Sequence, residues 1–308
     1  MEKLEVVDSH HHLWDLALGW HDWLIGDPKP FLLGDYTALR RNYLPEDYRT
    51  DAFGVDVLAT VHVEAECIRS RALDETRWLH EQHASCGMPQ AVVAHAWLHD
   101  PRLDEQLAAQ AQFPLLRGLR SKPLTAQDPH ASRPQGAGSL TDPNWLAGMR
   151  LLAARDWSWD LRVPFWHLEE AAMIVEKVPE LRVVLNHTGL PWDRSEAGLD
   201  QWRKGMRALA RLPKVFCKIS ELGLMHQAWT IESNRRVVQE AVEIFGPERC
   251  MFASNFPVAS LRVAYRAQLL GISNMLTHLN ESERRDIFVN NAISFYRIKP
   301  FCKPDQRH

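Results

Sequence analysis

Three histidines stand in a row near the start of the chain, in Val6-Val7-Asp8-Ser9-His10-His11-His12-Leu13-Trp14-Asp15. They fall where a short apolar run gives way to loop-like sequence. Side chains alternate between the two faces of an extended strand. A strand over 6–12 therefore puts Asp8, His10 and His12 on one face, with Ser9 and His11 on the other. Two imidazoles on one face at a strand end can ligate a metal or polarise a carbonyl group. The pattern needs support from elsewhere, because 15 histidines in 308 residues give roughly 0.7 His-x-His pairs by chance.

That support has to come from the elements that position the pair. Short β-rich runs recur along the chain at 57–64, 91–97, 115–120, 159–163, 182–187, 215–220 and 250–255. Helix patterns follow them at 71–83, 103–112, 144–155, 168–178, 199–212 and 233–245, then at about 260–278 and 282–297. A further helix starts at Pro45, where a proline and two acids suit the first turn. Eight apolar strands alternating with helices predict a (β/α)8 TIM barrel in a single domain over 1–308. An open doubly wound sheet would carry a Gly-rich phosphate loop after its first strand, and the histidine run is not one. Two stretches are longer than routine connections, at about 15–44 and 123–142, and are expected to lie over the C-terminal face of the strands.

In such a barrel the active site gathers at the C-terminal strand ends. His10 and His12 close the first strand, His62 and Glu64 the second, and His95 or Trp97 the third. Arg120 and Lys122 follow the fourth, Arg162 ends the fifth, and Asn186-His187-Thr188 ends the sixth. Lys218, Ser220 and Glu221 end the seventh, and Ser254 and Asn255 the eighth. Strands that open apolar and close polar are poorly explained by core packing, because unpaired buried charge is costly. Arg120 and Lys122 could bind a substrate carboxylate or hydroxyls, or pair with Glu64 or Glu221. Alternation puts Lys218 and Ser220 on one face and Glu221 on the other. Trp14, His62, Glu64, Arg162, Lys218 and Ser220 complete the expected substrate-binding set. The pairs His95/His99 and His80/His83 have helix-like metal spacing, but the first spans a strand end and the second an exposed helix, so both are read as decoys.

Composition narrows the partners. Hydrophobic content of 45% and charged content of 24% are ordinary for a globular chain. A net charge of -3 leaves no basic excess for nucleic acid or an anionic membrane. No apolar run approaches a membrane span, and Glu2-Lys3-Leu4 does not begin a signal peptide. Five cysteines without a CxxC pair suit reduced thiols, and with them a cytoplasmic location. Most of the 12 tryptophans should pack the core, and a minority should line a pocket. The expected partner is a small-molecule substrate, and a homo-oligomer is compatible with everything above.

Taken together, these residues resemble the amidohydrolase superfamily, specifically its lactonase branch. That branch includes 2-pyrone-4,6-dicarboxylate lactonase, L-fucono-lactonase and sulfomuconolactone hydrolase. The resemblance runs through Asp8-x-His10-x-His12-x-Trp14-Asp15, His62-Val63-Glu64-Ala65, Leu119-Arg120, Asn186-His187-Thr188-Gly189 and Phe252-Ala253-Ser254-Asn255-Phe256-Pro257. It implies catalytic roles for His10, His12, His187 and Asn255 in opening a cyclic ester that bears carboxylate or hydroxyl groups. One position departs: the family carries an aspartate on strand eight, as general base and as metal ligand in metal-dependent members, where this chain has Asn255. A neutral amide accepts no proton at pH 7 and ligates divalent ions poorly. The expectation is therefore a metal-independent hydrolase, with His187 or Glu64 as the base. If a metal is bound, Zn²⁺ or another divalent ion would sit on His10, His12 and His187. The alternatives are a lactone isomerase or a metal-dependent decarboxylase on the same scaffold, and a barrel whose site has decayed.

Overall fold

The computed structural model describes residues 4–299. Eight parallel strands follow one another around a single sheet in chain order: β1 Glu5–His11, β2 Asp56–Val63, β3 Ala91–Ala94, β4 Leu116–Leu119, β5 Ser158–Leu161, β6 Val183–Leu185, β7 Val215–Ile219 and β8 Cys250–Phe252. Two backbone bonds just past the strand ends draw β8 back to β1. Asn255 N donates to His10 O at 2.7 Å and His12 N to Phe256 O at 2.7 Å. Helices separate the strands, so the architecture is the (β/α)8 barrel that the alternation predicts.

The local sequence explains the helices. That over Ile231–Phe245 starts at Thr230, whose side chain caps the Ser233 amide, and buries Val237, Val238, Ala241, Val242 and Phe245 along one stripe. The helix over Glu196–Ala210 is capped by Ser195 and buries Leu199, Trp202, Met206 and Leu209 against the barrel. The last predicted helix is broken into Glu281–Arg285, a π turn Asp286–Asn290 and Asn291–Tyr296. No helix among the described residues is long and apolar enough to cross a membrane. Cys67, Cys86, Cys217 and Cys250 are free thiols. Cys302, Glu2 and Lys3 lie outside the described residues.

One sequence expectation fails in β1. Asp8 pairs with Thr60 and His11 with His62, so β1 spends one more residue than β2 over that span. Such a bulge reverses which face the following side chains take. Asp8 consequently parts from His10 and His12. It accepts hydrogen bonds from Ser254 N at 2.9 Å, Ser254 Oγ at 2.6 Å and Tyr48 Oη at 2.8 Å. His11 also turns to Tyr48, with ring centroids 4.8 Å apart. Asp8 is thus a buried anchor between strand eight and the helical layer.

Candidate active site

The strand ends enclose a cavity of about 110 Å³, lined by His12, Trp14, Arg120, Lys122, Arg162, His187 and Asn255 together with Glu66 and apolar side chains. The segment 15–44 supplies part of the wall through Trp23, Phe31 and Leu32. Trp23 stacks on Phe31 with centroids 5.8 Å apart and donates to Ala65 O at 3.1 Å. Trp14 Nε1 donates to Arg41 O at 2.7 Å, which fixes its ring at the mouth. The segment at 123–142 contributes no lining residue; it is tied to the end of β5, where Ala126 N donates to His167 Nε2 at 2.8 Å.

Six non-glycine residues just past the strand ends have left-handed backbone: Glu66 (φ 58°), His187 (φ 60°), Thr188 (φ 53°), Leu190 (φ 52°), Glu221 (φ 46°) and Asn255 (φ 56°). Non-glycine residues pay for this conformation, and its concentration here is the pattern of strain stored at a working site. Asparagine tolerates it better than most residues. The backbone bonds that join Asn255 and Phe256 to His10 and His12 hold Asn255 opposite His12. Asn255 Oδ1 lies 3.1 Å from His12 Nε2, and Asn255 Nδ2 donates to Glu221 Oε2. After β6 the chain keeps positive φ from His187 through Leu190, with Gly189 in the middle at φ 69°. This turn swings His187 onto the cavity wall, where Ser220 Oγ meets its Nδ1 at 3.0 Å.

The β2–β4 side of the cavity is a closed charge network. Arg120 Nε bonds Glu64 Oε1 at 2.6 Å and Arg69 bonds Glu64 Oε2 at 3.0 Å, while Lys122 and Arg69 both pair with Glu66. Burial alone would raise the Glu64 carboxyl, but Arg120, Lys122 and Arg69 hold it well below the usual carboxylate range. Both Glu64 oxygens are committed to arginines and the residue does not line the cavity, so its carboxylate is not presented to a substrate there. Across the mouth Arg162 is half-buried on the cavity wall, and no hydrogen bond or ion pair joins it to another described residue.

Five residues expected at the site do not line the cavity: Glu64 and Ser220 stand behind Arg120 and His187, and Lys218, His62 and His10 lie deeper. Lys218 is fully buried and pairs with Asp160 at 2.5 Å, where Tyr296 and Asn186 also bond the same carboxylate. Its chain position two residues below Ser220 explains this, since successive inward residues of a barrel strand form stacked layers. His62 packs edge-on against His11 and His12 at 5.8 and 6.2 Å and does not line the cavity. His10 is fully buried under His12 and His187, its ring centroid 5.0 and 4.7 Å from theirs. Three of the four decoy histidines are tied elsewhere, His80 to Thr76 O, His83 to Pro89 O and His95 to Arg120 O, and the fourth, His99, stacks on Trp145. Sequence reading set aside Glu221 because alternation faces it away; its left-handed φ is what turns it toward Asn255. No sequence pattern marks that turn.

The three histidines do not fit a divalent metal as they are arranged. His10 is flanked at 3.4 Å by Lys218 Nζ on one nitrogen and by Arg120 on the other, two cations that would repel an ion. His12 commits Nδ1 to Val63 O at 2.7 Å and turns Nε2 to Asn255. His187 keeps one free nitrogen. Among the described residues no group of three His, Cys, Asp or Glu side chains converges as a metal site.

Comparison with known proteins identifies relatives over nearly the whole chain. The protein y4mH of Sinorhizobium fredii is 35% identical over 97% of this chain and 100% of its own. An L-fucono-1,5-lactonase of Burkholderia multivorans is 29% identical over 84% of each chain. The crystal structure of an amidohydrolase from Burkholderia multivorans with bound zinc superposes with a TM-score of 0.79 at 26% identity, covering 96% of this chain and 99% of that one. The amidohydrolase family model matches residues 7–298. The chain therefore belongs to the amidohydrolase family and is a hydrolytic enzyme.

Proposed function

We propose that this enzyme opens a small lactone bearing a carboxylate or hydroxyl groups, and does so without a metal ion. The observation that carries the reading is Arg162. An unpaired guanidinium on the wall of a cavity that also holds His187 and Asn255 is prepared for an anion from the substrate. The lactonase names of the relatives support the same reaction class.

In this reading His187 is the base. Burial first, and then Arg162, Arg120 and Lys218, push its pKa far below the usual histidine value, so it is neutral near pH 7. With Nδ1–H donating to Ser220 Oγ, the Nε2 lone pair faces the cavity. It takes a proton from water as the water oxygen bonds the lactone carbonyl carbon and the carbonyl π pair moves onto oxygen. Arg120 and Arg162 lie close enough to the cavity to stabilise that oxyanion. When the ring C–O bond breaks, its electrons go to the ring oxygen, which recovers the proton from the imidazolium. The product is the hydroxy acid, one water heavier than the substrate. The substrate carboxylate and the oxyanion together offset the charge that appears on His187.

The test is a panel of aldonolactones and carboxylated lactones, followed by NMR in chelated buffer. Ring opening of a carboxylated or polyhydroxylated member is expected. Inertness toward the whole panel overturns the reading, and migration of the acyl group between hydroxyls without net hydration would make the enzyme an isomerase.

A further inference from the structure

Asn255 sits between two groups with opposite demands. On one side is His12, whose Nδ1 lies 2.7 Å from Val63 O. A carbonyl only accepts, so Nδ1 carries the hydrogen and Nε2 carries the lone pair. Burial, with Arg120 adding to it, lowers the His12 pKa to about 3, so the ring is neutral and Nε2 wants a donor. On the other side is Glu221, 3% exposed and hydrogen-bonded to the same amide. An amide has one donating end and one accepting end, so it cannot offer the same end to both neighbours.

The two ends therefore follow the charge on Glu221. An ionised Glu221 demands the Asn255 NH₂ group and leaves Oδ1 facing His12 and the cavity, which is the arrangement in the structure. A protonated Glu221 can itself donate to Oδ1, which turns the NH₂ group toward the His12 lone pair. A half-turn of the amide exchanges the two. Each arrangement gives the cavity a different surface: an amide acceptor that can hold a water by one hydrogen and leave the other to His187, or an amide donor already satisfied by His12.

We propose that Glu221 is a positioning residue of this site, whose charge decides whether Asn255 presents an acceptor or a donor to the cavity, the acceptor form being the one that seats the attacking water. The consequence for turnover rests on the lactonase reading; the link between Glu221 and the amide does not. The geometry is supported by the titration range. Burial raises the Glu221 pKa to about 7, against the Asn255 hydrogen bond and the more distant cations Arg162 and Arg262. Arg162 faces it from the end of β5, and Arg262 faces it from the segment after β8. Neither comes within ion-pair distance, and Arg262 spends its donors on the carbonyl oxygens of Leu33, Leu224 and Leu261. His12 is the titratable group beyond the amide.

Two measurements test the link. In uniformly ¹⁵N-labelled protein the Asn255 side-chain amide resonance, identified by its loss in Asn255→Ser, is followed from pH 5 to 9. A shift with a midpoint near 7 in the natural protein, absent in Glu221→Gln and restored at a displaced midpoint in Glu221→Asp, is expected. An amide resonance that does not titrate in the natural protein overturns the proposal. In parallel, kcat and KM are measured against pH on a lactone that the enzyme opens. Glu221→Gln is expected to lose the inflection near 7 and at least ten-fold in kcat, with KM within about three-fold. A folded Glu221→Gln with an unchanged profile overturns the positioning role. If Glu221→Gln does not fold, the Glu221→Asp midpoint decides: a displaced midpoint supports the role and an unmoved one overturns it. A titrating amide in a protein that opens no lactone upholds the polarity link and sinks only the assigned reaction.

Discussion

On the β2–β4 side of the cavity every cation has an acid against it: Arg120 and Arg69 hold Glu64, while Lys122 and Arg69 hold Glu66. On the β5–β8 side Arg162 has no such partner, His187 keeps a free nitrogen, and Glu221 is buried against an amide instead of a cation. Five of the six left-handed residues, His187, Thr188, Leu190, Glu221 and Asn255, also lie on this second side. The contrast separates two uses of buried polarity. Charges that satisfy one another define the shape of the mouth, while groups left unsatisfied are available to a substrate. Glu64 and Glu221 show it most clearly. Both are buried carboxyls at strand ends, yet three cations depress the pKa of one and burial raises that of the other to about 7.

Substitutions can break this contrast, and the largest effect belongs to the unpaired side. His187→Ala should lower kcat/KM by roughly 10²–10⁴-fold, the usual worth of a general base, while the melting temperature stays within a few degrees. An unchanged rate would move the base elsewhere. On the paired side Arg120→Met removes the buried partner of Glu64 and leaves it only the half-buried Arg69. It should destabilise the fold by about 3–5 kcal/mol, read by urea denaturation; a loss below about 1 kcal/mol would mean that the network is not structural.

Arg162→Gln sharpens the comparison because it removes a cation that has no direct ion-pair partner among the described residues. Stability should hold or rise, while KM for a carboxylated lactone increases by roughly 10–100-fold, the worth of one charge-assisted hydrogen bond. An equal rise for an uncharged lactone would argue against anion binding.

A smaller effect concerns pH. Glu221 has a folded pKa raised to about 7 from 4.5, so the folded state binds its proton more tightly than the unfolded chain does. Its contribution therefore favours folding as pH falls from about 7 toward 4.5, with a slope of at most about 1.4 kcal/mol per pH unit. Glu221→Gln should remove that part of the slope in denaturation curves taken across this window. The smallest expected change is with chelator: activity of protein purified in chelated buffer should stay within about two-fold, and should not rise on adding zinc. A zinc-dependent activity would show that the cations around His10 rearrange to admit an ion.

Much of the scaffold was legible in the residue order. The eight strands register as apolar runs at regular intervals, and their polar closing residues mark the mouth of the barrel, because alternation and burial are local properties. The site was legible as a set of candidates more than as an arrangement. His12, Trp14, Arg120, Lys122, Arg162, His187 and Asn255 were singled out and do line one cavity. Lys218 and His62 were singled out for the same reason and lie beneath it, since a strand position does not tell which layer of the barrel a side chain occupies. Asp160 was passed over, and Glu221 was read as a strand-end acid facing away from Ser220. Asp160 was hidden inside an apolar strand, and its partner Lys218 is 58 residues away in the chain.

The histidine run at β1 marks the division. Its place after an apolar strand was enough to put His12 at the barrel mouth, because side-chain period and strand polarity are written locally; His10, expected there too, lies buried beneath it. Which of their neighbours are cations, which nitrogen each ring has free, and where Asp8 points were decided by tertiary structure. A one-residue bulge against β2 turns Asp8 away, and Lys218 and Arg120 arrive beside His10 from strands seven and four. The amide of Asn255 reaches His12 only because β8 closes onto β1. His12 and Asn255 stand 243 positions apart in the chain, and no local pattern encodes a contact of that kind.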